Sequence, residues 1–172
     1  RVRQETLRAM ETTGMARSAE FLLRLLESND DICRTWAVER LAALGDNRAA
    51  EPLWKLIRTR EFRERSWNDK RAYFEALGKC APPTMLPDVQ ALYEKRGWFE
   101  KPKDLEMRAG AAIVLGLIGG EQMVDLLEQG CQAEDAVIRE ACRQALDAIR
   151  RRTDSARPDA PAPTQGGEEE TA

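Results

Sequence analysis

Small or apolar residues return along this chain at the spacing of a helix face. Counting from a basic residue at Arg3, Arg34, Lys70, Arg108 and Arg139, the third position on is Thr6, Ala37, Tyr73, Ala111 and Cys142. The seventh is Met10, Leu41, Leu77, Leu115 and Leu146, and the tenth is Thr13, Leu44, Cys80, Ile118 and Ile149. Steps of three and four trace one side of a 3.6-residue helix, so the spacing predicts five helices, each burying that side. The register residues stand 31, 36, 38 and 31 apart. A second amphipathic stretch follows each of the first four, over 17–28, 48–59, 84–95 and 121–132. Pro52 and Pro87 fall in the first halves of these stretches, where proline costs least. Gly14, Gly45 and Gly119 sit where a left-handed C-cap would close a helix. Asp30, Asp31, Asp69, Glu134 and Asp135 precede helices or open them, as caps or N-terminal charges. The simplest role for the aligned basic residues is a ladder paired with those acids.

Helix, short turn, helix at a period near 31 describes a stack of hairpins. One hairpin cannot cover its own apolar face, so neighbours stack into a continuous core. The pattern gives an all-α domain of about four and a half hairpins over 1–151. Its last helix, 135–151, has no hairpin partner after it, and Arg150, Arg151 and Arg152 suit the negative pole at its end. Residues 152–172 turn to Pro, Ala, Gly and acid with nothing to bury, and disorder is expected there.

The stretches "CRTWAVERLAALGDNRAAEPLWKLI" and "MRAGAAIVLGLIGGEQMVDLLEQG" resemble the HEAT repeat family in its short bacterial form. That form reads roughly "VRxxAxxALGxIGDxxAxxxLxxLL", and the resemblance spans about residues 1–151. It implies a right-handed α-solenoid in which the helix carrying the basic residue lines the concave side. It says little about activity, because such folds host many functions.

Two departures from the repeat carry the candidate site. The junctions 58–71 and 94–108 are longer than the others and mix arginine and lysine with aromatics. They supply Phe62, Arg63, Trp67 and Arg71 in one, and Trp98, Phe99 and Lys101 in the other. Arginine and aromatic side chains are the usual anchors of interfaces. Consecutive junctions share one edge of a solenoid, so the two are expected to be neighbours. The second departure is the stripe one, five and nine residues after each basic residue. It is polar or mixed in four helices, such as Arg71, Glu75 and Lys79, or Glu140, Gln144 and Ala148. In the fourth it is Ala109, Ile113 and Leu117. A helix apolar all round must be covered on both sides, either from within or by a partner.

The stretch "AGAAIVLGLIGG" at 109–120 that contains this stripe is not a phosphate loop. Its glycines match no dinucleotide or mononucleotide fingerprint and no β-branched strand precedes them. It is also too short to cross a membrane, which takes about 20 apolar residues.

Composition narrows the chemistry. The chain has no histidine, and its four cysteines lack a CxxC spacing, which leaves no ordinary zinc site, His-dependent triad or cofactor motif. Three of the four cysteines fall within helical patterns, where a small buried apolar residue fits, and this favours a reducing, cytoplasmic setting. Residues 55–108 hold 13 Lys/Arg against 9 Asp/Glu, yet the whole chain is at −3, which counts against nucleic acid. The start inside a repeat, without methionine, points to an upstream part of the same polypeptide. The expected function is a non-enzymatic protein–protein scaffold that binds another protein through the concave face and the long junctions. Nucleic-acid binding, as in HEAT-like DNA alkylation-repair glycosylases, is the alternative. Tetrapyrrole attachment, as in HEAT-like bilin lyases, has only the shared repeat behind it.

Overall fold

Each helix of the described chain starts and stops where local chemistry dictates. The computed structural model describes residues 18–96 and 101–155. Ser18 caps α1 (Ala19–Leu26) by accepting from the Phe21 N–H, and Asp30 caps α2 (Asp31–Leu44) through Ile32. Gly45 closes α2 in the left-handed region at φ 64, as its position in the repeat predicts. Thr59 caps the single-turn α4 (Arg60–Arg63), and Ser66 caps α5 (Trp67–Cys80). The 3₁₀ turns 47–49, 83–85 and 121–123 lead into α3 (Ala50–Ile57), α6 (Leu86–Glu94) and α8 (Val124–Gly130). Pro102 opens α7 (Pro102–Ile118), and α9 spans Ala136–Ser155.

These helices form two layers. The inner layer stacks α2, α5, α7 and α9 in order, and each outer helix, α1, α3, α6 and α8, packs on the inner helix that follows it. One continuous core runs between the layers, from Leu22 and Leu41 through Phe74 and Leu115 to Leu146 and Ile149. Three whole hairpins with a half hairpin at each end lie within the described residues, an α-solenoid of the expected kind.

Four details differ from the pattern-based expectation. α9 continues through Arg152 to Ser155, past the boundary placed at 151; residues 156–172, like the first repeat helix with Gly14, lie outside the described residues. Gly119 ends α7 in an extended conformation at φ −79, because the chain passes straight into the next 3₁₀ turn. Leu44, expected on the buried side, is 41% exposed, since α2 has an inner neighbour on one side only among the described residues. The basic ladder is only partly paired with the acids before its own helices. Arg34 does bond Asp31, but Lys70 reaches Glu106 of the next inner helix. Arg108 Nε donates to the Tyr93 carbonyl at 2.9 Å, in the last turn of α6, and Arg139 donates to the carbonyls of Ala133 and Glu134. There the long basic side chains satisfy backbone carbonyls that a helix end or loop leaves open.

Candidate partner-binding groove

The stripe Ala109–Ile113–Leu117 lies on α7 between α5 and α9, and the three helices share one register. The wall from α5 is Arg71, Glu75 and Lys79, and the wall from α9 is Glu140, Gln144 and Ala148. Both walls are the same one-five-nine stripe of their repeats. Small residues bring the flanking helices close: a Cβ on Gly116 would fall 2.4 Å from the Ala145 Cα, and one on Gly110 would fall 2.0 Å from the Phe74 ring. Ala109 is therefore fully enclosed, Ile113 is 8% exposed, and Leu117 is half-buried.

What remains open is a groove with an apolar floor. It forms two hollows that share Ile113 and Gln144. One, of about 220 Å³, is bounded by Trp67, Arg71, Ile113, Val137 and Gln144. The other, of about 170 Å³, is bounded by Glu75, Lys79, Ile113, Leu117 and Ala148. A side-chain strap runs between them. Arg71 Nη2 donates to Gln144 Oε1 at 3.3 Å across the top of α7. Each end is anchored one turn away on its own helix, Arg71 Nε to Glu75 at 2.7 Å and Gln144 Nε2 to Glu140 at 2.8 Å. The covering of the apolar stripe is thus shared: helix packing encloses Ala109, the strap shades Ile113, and Leu117 is left at an open end.

The other candidate residues divide. Trp67 and Arg71 join the groove. Phe62 does not: it is 2% exposed and packs edge-on against Tyr73 and Phe74 with ring centroids 5.3 and 5.9 Å away, so it belongs to the core. Its place there follows from α4, the single turn that the longer junction folds into. Arg63 pairs with Asp104 at 2.6 Å, and Lys101 is exposed at the start of α7. Trp98 and Phe99 lie outside the described residues. The two long junctions are neighbours, as expected of solenoid edges. Arg63–Asp104, Lys103–Glu64 and Lys70–Glu106 tie one to the other. Arg34 and Arg65 both bond Asp31, and these contacts hold its carboxyl below the usual carboxylate range. Arg63, Arg65, Lys70, Arg71 and Lys103 of the junctions thus each engage a carboxylate of the chain itself.

Reading the sequence helix by helix missed the walls Glu75, Lys79, Glu140, Gln144 and Ala148 as part of the site. Their signal was present, since they occupy the same register positions as the apolar stripe. Among the described residues no group of three or more Cys, Asp or Glu is placed to hold a metal, and no helix is long and apolar enough to cross a membrane. A family model described as HEAT repeats matches residues 1–68 and 60–147. No curated protein matches the chain.

Proposed function

The chain belongs to the HEAT repeat family, and from that premise we propose that it is a scaffold that holds a partner protein in the groove between α5 and α9. HEAT repeats are in general protein-interaction scaffolds. The observation that carries the site is the pair of open apolar hollows along a stripe that is polar or mixed in the other repeats. Apolar surface left open between polar walls is where association gains most from removing water. The groove's charged groups are paired or exposed, an arrangement suited to recognition rather than to bond-making. Four free cysteines support a reducing, cytoplasmic setting.

The test compares three baits in extracts of the source organism: the unmodified chain, Leu117→Arg, and Glu128→Arg on the exposed face of α8. Leu117 is half-buried at the open end, so the substitution charges the hollow while its aliphatic stem keeps most of the packing. The expected result is a partner retained by the unmodified chain and by Glu128→Arg, and lost with Leu117→Arg. A partner kept equally by all three would place the binding surface elsewhere.

A further inference from the structure

Resting on that reading, we infer that the groove takes an amphipathic helix with two apolar anchors seven residues apart and a carboxylate midway between them. The hollows set the anchor spacing. On α5 the walls shift from Trp67 and Arg71 to Glu75 and Lys79, eight residues, or roughly 12 Å of helix rise. Anchors at i and i+7 of a helix lie about 10.5 Å apart along the axis, close to that separation. The groove walls are helices whose backbones are already bonded. An extended peptide would find no sheet edge there and would leave its own N–H and C=O groups unpaired over an apolar floor. A helix brings its backbone already satisfied.

The strap sets the residue between the anchors. Arg71 is bonded through Nε to Glu75, but its reach to Gln144 is a long 3.3 Å bond to a neutral amide oxygen. A guanidinium has five N–H donors, and a carboxylate is a much stronger acceptor than an amide. An acidic side chain three or four residues after the first anchor would arrive over this strap, release Gln144 and take the arginine. Lys79, beside the second hollow, has no ion-pair partner among the described residues and adds to the same preference. The wall carboxylates are otherwise engaged, Glu75 with Arg71, and Glu140 with Gln144 and, at 3.9 Å, with Arg143.

The experiment titrates the full chain with two labelled synthetic helical peptides by fluorescence anisotropy. Both carry leucine at i and i+7, and they differ only in glutamate or lysine at i+4. The expected result is that the glutamate peptide binds about tenfold more tightly, with the preference shrinking at high salt. Arg71→Gln, an exposed polar exchange checked by its melting point, should abolish most of that preference. Equal binding of the two peptides, lost for both with Leu117→Arg, would overturn the carboxylate inference and leave the groove standing. If neither peptide binds the folded chain, the reading of the groove as a helix-binding surface falls with it.

Discussion

Asp46 shows how much a single half-buried side chain can be asked to do at the mouth of a turn. It accepts from the Arg48 guanidinium at 2.7 Å and from the Arg48 backbone N–H at 2.9 Å, capping the 3₁₀ turn that leads into α3. These bonds hold its carboxyl at about 2, below the ordinary 3.8. A carboxyl with a depressed folded pKa stabilises the fold above its unfolded value and ceases to do so as pH falls through the folded one. The contribution of Asp46 is therefore complete above about pH 4 and lost towards pH 2. Asp31, held down first by Arg34 and then by Arg65, works in the same direction. Asp46→Asn should flatten the acid limb of a urea-midpoint-against-pH curve; an unchanged limb would assign acid sensitivity to other carboxyls. The cysteines are also separable one by one. Burial pushes the Cys80 thiol up to about 11 and raises Cys142 as well, whereas Cys33 and Cys131 are half-buried. The thiolate is the reactive form, so iodoacetamide near pH 8 should label Cys33 and Cys131 in the native chain and reach Cys80 and Cys142 only after unfolding, as read by peptide mass.

At the scale of elements, α7 is where the array is tightest. Because the Ala145 Cα blocks a Cβ on Gly116 at 2.4 Å, Gly116→Ala must push α9 away from α7. Backbone cannot yield as a flexible side-chain tip can, and overpacking of this kind costs about 1–3 kcal/mol, despite the better helix propensity of alanine. A melt at or above the unmodified midpoint would show that the two helices have slack. The junction below carries the opposite risk. Lys70 is fully buried and bonds Glu106, so removing only the carboxylate strands a charge. Glu106→Ala should cost about 3 kcal/mol, and Lys70→Met with Glu106→Leu should recover most of it. Helix faces such as Leu41, Leu77, Leu115 and Leu146 could be read from spacing because periodicity is a property of one helix. The partners of Lys70, Arg108 and Arg152 could not. Arg152 donates to the carbonyls of Gly116, Leu117 and Gly119 at the end of α7, a contact set by how far one helix is offset from the next.

For the whole molecule, the same distinction decides how much of the site could be read in advance. The floor was legible because Ala109, Ile113 and Leu117 break a rule that the other repeats obey. The strap was not, since Arg71 and Gln144 stand 73 residues apart and meet only when three inner helices stack. Stacked repeats hold together through neighbour-to-neighbour contacts, so a defect in the middle of the stack weakens both flanks. Ile113 lies at such a midpoint, on α7 between α5 and α9 and beneath the strap. Ile113→Arg would place a cation at an 8%-exposed position next to Arg71, where the wall carboxylates Glu75 and Glu140 are already engaged. The cost should be several kcal/mol, which for a chain of this size lowers the thermal midpoint by roughly 10 °C. Leu117→Arg, at the open end, should move it by only a few degrees. The melt of Ile113→Arg should also broaden, because α2 with α5 and α9 with α8 would then unfold less in step. A sharp transition displaced as a whole would instead show that the stack still unfolds as one unit. Two variants with the same small shift would mean that the strap leaves Ile113 open to solvent and that the two hollows are already one.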